Sequence, residues 1–213
     1  MYVFMGGTFD PIHCGHLQGA RQVSQLLSSD SIYLLPAKVP VHKTAPQVST
    51  AARIAMLEIA IVPFPEIHLD LREVHSATES YTIDTLKQLR ADLGEQHPLI
   101  MVIGMDSFTT LPDWRGYKQF LSLCHIIVLQ RPSYQLVQSP EHHSLMQQRI
   151  DNSDELKTSS AGKLLFFQQP PLNISASEIR LQLQKSLTPE LLPSAVADYI
   201  KQHQLYSSML AAT

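Results

Sequence analysis

Short apolar runs alternate with helix-length amphipathic segments along nearly the whole chain, and that alternation constrains the fold more than any single motif. Tyr2–Met5, Ser31–Leu35 (SIYLL), Ile67–Leu71, Leu99–Ile103 (LIMVI), Ile126–Leu129 (IIVL) and Leu164–Phe167 (LLFF) read as strands. Gly15–Leu27, Ser49–Ile61 and Thr82–Leu93 read as helices, with Ile54, Leu57 and Ile61 on one face of the second and Leu86, Leu89 and Leu93 on one face of the third. Two further helices, Ser177–Gln184 and Pro189–His203, close the chain. Apolar strands without polar alternation fit a sheet covered on both faces. Strand–helix–strand repetition makes that sheet parallel, with helices on both sides. The expected fold is therefore one α/β domain over residues 1–213, a doubly wound parallel sheet. No internal repeat and no Gly/Ser-rich linker interrupts it. The polar stretch Ser133–Gly162 reads either as one helix around His142–Ile150 or as a loop.

Composition narrows the function classes. A chain of 213 residues with 44% apolar and 16% charged residues can bury its own core, and it does not have the make-up of a disordered protein. A net charge of −3 argues against a nucleic-acid binder, so an anionic ligand would have to be held by local cations and backbone N–H groups. Cys14 and Cys124 are too few for a disulfide framework and suggest a reducing compartment. No apolar run approaches the ~20 residues that span a bilayer. Met1–Gly6 has neither a basic leader nor a signal-peptide core. These features lead to the expectation of a cytoplasmic protein with no membrane partner; the oligomeric state stays open, a homo-oligomer included.

In open parallel sheets, ligands bind beyond the carboxyl ends of the strands. Three such places carry unusual sequence. After the first strand comes Gly6-Gly7-Thr8-Phe9-Asp10-Pro11-Ile12-His13-Cys14-Gly15-His16-Leu17. Gly6 and Gly7 allow a ligand close to the backbone, and Asp10-Pro11 is a turn signal. His13 and His16 flank the start of the first helix, where free N–H groups and a partial positive charge suit a phosphate. Zinc ligation by the two histidines has no supporting cysteine pair or carboxylate at ligand spacing. After the last strand, Ser175 and Glu178 form an S-x-x-E capping box. The same helix start can also seat outer phosphates, with Ser175, Ser177 and Arg180 as partners.

Four segments lie between these two. In Pro36-Ala37-Lys38-Val39-Pro40-Val41-His42-Lys43, Lys43 is either a phosphate partner or a surface lysine on a stiff loop. In Glu79-Ser80-Tyr81-Thr82-Ile83-Asp84-Thr85-Leu86, Ser80 or Thr82 suits a helix N-cap. Ile103-Gly104-Met105-Asp106-Ser107 follows the fourth strand; Gly104 permits close approach, and Asp106 can accept ribose or base hydrogen bonds. In Leu111-Pro112-Asp113-Trp114, the one tryptophan packs in the core or stacks on a ligand ring.

Taken together, these segments resemble a known family. His13-Cys14-Gly15-His16 resembles the HxGH signature of the nucleotidyltransferase superfamily, and GGTFDPIHCGHL is similar to the bacterial nicotinate mononucleotide adenylyltransferases. The segment around Ser175 resembles that family's ISSTxxR, departing at Ala176 and Ser177. The Lys43 segment resembles PxxxPPHK, with Val41 for one proline. The Tyr81 and Asp106 segments resemble SYTxxTL and IGxDS, and Arg131-Pro132 also matches the pattern. The motifs occur in family order over nearly the whole chain.

The resemblance implies a Rossmann-like fold and adenylyl transfer from ATP to nicotinate mononucleotide in NAD biosynthesis. Gly6, Gly7, Thr8, Phe9, His13, His16, Gly104, Ser175, Ser177 and Arg180 would then bind ATP, with His16 and His13 catalytic. Lys43, Tyr81, Thr82, Asp106 and Trp114 would face the acceptor, Trp114 stacking on its pyridine ring. The helices at about 175–205 would complete the site. Mg²⁺ would ride on the ATP phosphates, with no protein metal site. Nicotinamide mononucleotide and phosphopantetheine are the competing acceptors, and a silent nucleotide sensor is the competing class.

Overall fold

The computed structural model describes residues 1–38, 46–77, 81–130, 139–168 and 174–207. Seven strands form one all-parallel sheet among the described residues. They are β1 (Tyr2–Gly7), β2 (Ile32–Pro36), β3 (Ile67–Leu69), β4 (Leu99–Gly104), β5 (His125–Gln130), β6 (Arg149–Ile150) and β7 (Leu164–Gln168), in the order β3-β2-β1-β4-β5-β7-β6. The helices are α1 (Cys14–Leu27), α2 (Thr50–Ile61), α3 (Arg72–His75), α4 (Thr82–Leu93), α5 (Met105–Thr109), α6 (Phe120–Leu123), α7 (Pro140–Met146), α8 (Ala176–Gln184) and α9 (Ser194–Gln202). None of the described helices is long and apolar enough to cross a membrane.

Strand side chains point alternately to the two faces, and the core divides accordingly. Val3, Met5, Ile32, Leu34, Ile100, Val102, Ile127 and Leu165 join one buried cluster with residues of α1, α2 and α9. Phe4, Leu35, Leu99, Met101, Ile103, Ile126, Val128 and Leu164 join a second with residues of α4, α5, α6 and α7. The buried middle positions of β1, β4 and β5 are therefore apolar because each face has its own helical layer. This is the doubly wound α/β architecture that the alternation predicts.

Two details depart from the sequence reading. On α2 the buried face is Ala52, Arg53, Met56, Leu57 and Ala60, while Ile54 and Ile61 are only half-buried. Of the triplet Ile54, Leu57 and Ile61, only Leu57 faces fully inward. Within 133–162, the described residues hold α7, the edge strand β6 and a 3-10 turn at Ser153–Lys157, rather than one helix over 142–150. Ser139 caps α7, and the His142 ring fixes it. His142 Nδ1 lies 3.0 Å from Ser139 Oγ, and Nε2 lies 3.0 Å from the Phe108 carbonyl of α5. Only the protonated Nε2 tautomer can donate to that carbonyl, so Nδ1 faces Ser139 as the acceptor.

Two inward-turned arginines tie loops to the layers. Arg90 of α4 donates to the carbonyls of Gly94, His97, Leu123 and Ser160, joining the segments that lead into β4, β5 and β7. Arg53 of α2 does the same at the other end of the sheet.

Candidate active site

The strand order reverses between β1 and β4, since β1 continues outward to β2 while β4 continues to β5. That reversal opens a crevice at the carboxyl ends. The register Met5↔Val102 brings Gly6-Gly7 and Ile103-Gly104 out side by side there. Gly6 is exposed, and a Cβ on it would meet nothing within 4 Å. A Cβ on Gly104 would lie 2.5 Å from Asp106 Oδ1, so the exposed Asp106 carboxylate folds back over the end of β4.

From Gly7 the chain turns through Thr8–Pro11 into α1. Phe9 takes a left-handed φ of 49° and is buried. A Cβ on Gly7 would sit 2.9 Å from its ring, so glycine is required where Phe9 folds back. The Phe9 ring meets His16 edge-on, with centroids 5.0 Å apart. Phe9, read as one of the ATP-binding residues, has a buried ring that packs against His16.

His13 is the N-cap residue of α1 and is buried, while His16 is half-buried one turn along. Their rings stack with centroids 3.7 Å apart and 22° between planes. Gly15 makes room for this, because a Cβ there would lie 2.9 Å from Ile174 Cγ2 and 3.0 Å from His13 Nδ1. The α1 start is also fixed from the far end of the chain, where Cys14 N donates to Leu191 O at 3.0 Å.

The start of α8 carries the capping box read from sequence. Ser175 Oγ accepts from Glu178 N at 3.2 Å, and Glu178 Oε2 accepts from Ser175 N at 2.9 Å. Arg180, read as a phosphate partner, is engaged within the protein. Its Nη1 donates to the Asp10 carbonyl at 2.6 Å and its Nη2 to Ser177 Oγ at 3.1 Å. Those bonds use two of five guanidinium donors and dock α8 against the β1–α1 turn. Ser175, Ser177, Arg180 and the His13-x-x-His16 turn are thus brought together.

Sequence reading gave Asp10 only a turn role, but it is the hub of this region. It is 5% exposed; Oδ1 accepts from Tyr206 Oη at 2.7 Å, and Oδ2 accepts from Gln47 N at 2.9 Å. Burial, together with the Asp10 hydrogen bond, pushes the Tyr206 hydroxyl well up from its ordinary value. Arg53 spans the next gap, donating from Nη1 to Thr8 O at 2.6 Å and from Nη2 to Lys38 O at 2.8 Å. Nothing local in sequence points to Tyr206. Arg53 had one signal, a charge three, four and seven positions before Met56, Leu57 and Ala60 on one helical stripe.

The remaining predicted residues gather around the α4 start. Tyr81, rather than Ser80 or Thr82, takes the N-cap position, and Thr82 is the first helical residue. The Arg115 guanidinium lies over the Tyr81 ring at 4.6 Å, as cation–π contacts do. Trp114 follows the 3-10 turn Leu111–Asp113, half-buried, and meets Phe120 edge-on at 6.3 Å. Gly116, with φ 72°, packs against Ile83 of α4. Tyr81, Thr82 and the Trp114 turn therefore share one wall. Lys43 and Arg131-Pro132 lie outside the described residues.

Behind that wall, Glu73 Oε1 accepts from Thr85 Oγ1 at 2.7 Å, and burial pushes its carboxyl up to about 7. A folded-state value above the ordinary 4.5 means that folding takes up a proton. Its contribution to stability is full below pH ~4.5 and is lost as pH rises through ~7. Glu73→Gln removes that decline. The melting temperature of the variant minus that of the wild type should climb between pH 4.5 and 7 and then level off. A difference that is flat with pH would show that Glu73 ionises normally.

The fold and these segments can be set beside known proteins. Residues 4–182 match the cytidylyltransferase-like family model. A relative from Marinobacter nauticus described as "probable nicotinate-nucleotide adenylyltransferase" is 40% identical over 98% of this chain and 97% of its own. One from Pseudomonas putida with the same description is 38% identical over 95% and 93%, and one from Citrobacter koseri is 39% identical over 97% and 98%. The fold also matches that of a Plasmodium falciparum nicotinic acid mononucleotide adenylyltransferase complexed with NaAD, with a TM-score of 0.73 and 20% identity over 96% of both chains. At that identity the likeness speaks for the fold, whereas the full-length relatives speak for descent: the chain belongs to the nicotinate-nucleotide adenylyltransferase family, within the cytidylyltransferase-like group.

Proposed function

We propose that this protein joins ATP and nicotinate mononucleotide to give nicotinate adenine dinucleotide and pyrophosphate, a step of NAD biosynthesis, in the cytoplasm. The observation that carries the reading is the stacked His13–His16 pair at the N-terminus of α1, beside the sheet's switch point, in a chain whose full-length relatives bear that activity in their names.

The reaction follows from the chemistry of the groups. The acceptor's phosphate, with a second pKa near ~6, is mostly dianionic at neutral pH and needs no protein base. One of its oxygens forms a bond to the α-phosphorus of ATP while the bond to the bridging oxygen breaks, and pyrophosphate leaves. The protein's work is alignment and charge stabilisation. His16 donates to the α-phosphate as charge develops, and His13 holds the phosphates against the α1 N-terminus. Gly6, Gly7, Thr8 and Gly104 let the nucleotide approach the backbone. Ser177, Arg180 and the free N–H groups of α8 take the outer phosphates, so α8 and α9 belong to the same functional unit as the sheet. Tyr81, Thr82, Asp106 and Trp114, with Lys43, face the acceptor. Mg²⁺ carried on the triphosphate would supply partial neutralisation of its charge, held largely by phosphate oxygens and water.

The test is pyrophosphate release with Mg²⁺–ATP and each of nicotinate mononucleotide, nicotinamide mononucleotide and phosphopantetheine. Release with the first, at a kcat/KM ~10²-fold or more above the second, is expected, because a site built for a carboxylate penalises an amide. Release with phosphopantetheine alone would overturn the acceptor assignment. Silence with all three, from folded protein that binds ATP, would make the chain a nucleotide sensor.

A further inference from the structure

Asp10 is where four distant parts of the chain meet. The β1–α1 turn supplies the carboxylate, Gln47 ahead of α2 donates its backbone N–H, α8 contributes Arg180, and the segment after α9 contributes Tyr206. The Tyr206 and Asp10 side chains lie 196 positions apart in sequence, and both are nearly buried, at 6% and 5% exposed. The hydroxyl donates to Oδ1, which leaves Oδ2 to Gln47 N and, at 3.9 Å, to Arg180 Nη1. The carboxylate's rotation is therefore fixed from both sides, with the Tyr206 hydroxyl holding Oδ1.

The backbone around this contact is held in an unfavourable conformation. Gln204 and Tyr206 take left-handed φ values of 52° and 58°, which side chains with a Cβ seldom adopt. Such a conformation persists only when its surroundings over-determine it. The Tyr206 ring supplies that by joining the same buried cluster as Phe9, Ile12, Ile174 and Ile179, the residues that back the His13–His16 turn and the α8 start.

We propose that Tyr206 is a positioning residue for nucleotide transfer. Through Asp10 it fixes the turn that carries His13 and the docking point of Arg180, and so sets the two phosphate-facing helix starts at one spacing. It touches neither substrate, and its effect falls on the ATP half of the site rather than on the wall formed by Tyr81 and Trp114.

The inference rests on the adenylyl-transfer reading, so its test has one arm that does not need turnover. Tyr206→Phe keeps the ring and its burial and removes only the hydroxyl. The expected results are a ~10-fold fall in kcat/KM for ATP, as for loss of a hydrogen bond to a charged group, and a comparable weakening of Mg²⁺–ATP binding by calorimetry. KM for nicotinate mononucleotide should stay within twofold of wild type. Asp10→Asn/Tyr206→Phe should be no worse than Asp10→Asn alone, because the hydroxyl acts through that carboxylate. A folded Tyr206→Phe that matches wild type in both ATP readouts, or that loses only thermal stability, overturns the proposal. If the wild type turns over no acceptor but the variant still binds Mg²⁺–ATP more weakly, the positioning role stands and the reaction assignment fails.

Discussion

His16→Ala should lower kcat by ~10²–10³-fold, the usual cost of removing one preorganised donor to a developing charge, while the protein melts within a few degrees of wild type. The asymmetry follows from where the ring sits. His16 is half-buried on α1, one turn in from the N-cap, and alanine is the best helix former. The truncation removes the ring contacts with His13 and Phe9, and alanine's helix propensity offsets part of that loss. The loss in catalysis should appear equally in kcat and in kcat/KM, since a donor that engages only as charge develops adds nothing to ground-state affinity. His16→Gln, which keeps an N–H donor on a flexible stem, should recover part of the loss. A folded His16→Ala with undiminished kcat would remove His16 from the transition state. A raised KM for ATP at constant kcat would assign it to ground-state binding instead.

Much of this site is legible in sequence because its parts are local. The Gly6–Leu17 string encodes a turn, a helix start and two rings within a dozen residues, and the Ser175–Glu178 box encodes its own cap. Three places at strand carboxyl ends are legible without any geometry. The sheet's strands were legible for a related reason, as a run such as LIMVI has no exposed face to advertise. β6 was not, since two residues carry no period. Within Ser133–Gly162, the Ser139-Pro140 start of α7 was available as an N-cap followed by proline at the first helical position. After its end at Met146 the chain enters β6, which pairs with β7.

What stays out of reach is the long-range polar bonding. Asp10 looks like half of a turn signal, and Tyr206 looks like an aromatic near a chain end. Their bond exists only because the sheet order brings the β1 turn and the segment after α9 to the same corner. Phe9 shows the converse. Its place in a ligand-binding string says nothing of its ring, which a left-handed φ accompanies and which lies buried against His16. Motif membership locates a site; which side chains face the ligand is decided by backbone angles that residue types only bias.

Arg53→Met should destabilise the protein by about 3 kcal/mol in urea unfolding, about 1–3 kcal/mol for each buried carbonyl that loses its donor. For a chain of this size that corresponds to a fall of about 6–12 °C in Tm. Methionine retains most of the stem, so packing against Met56 and Leu57 changes little and the loss isolates the guanidinium. Buried charges replaced by apolar groups are often neutral, since removing both members of a pair also relieves their desolvation. Here the relief covers only Arg53's own desolvation, because none of its partners leaves with it. Arg53 is 0% exposed, burial already holds its guanidinium below the usual value, and its direct partners are the Thr8 and Lys38 carbonyls and Thr50 Oγ1, which itself donates to Lys38 O. Those carbonyls are backbone and remain in place after the substitution, as does the buried Asp10 carboxylate whose charge opposes the depression of Arg53. Arg53→Lys should recover less than half of the loss, because a single ammonium cannot span both carbonyls as a planar fork does. An Arg53→Met protein within 0.5 kcal/mol of wild type would mean that water reaches Thr8 O and Lys38 O. The turn before His13 would then be set by Asp10 and its partners alone.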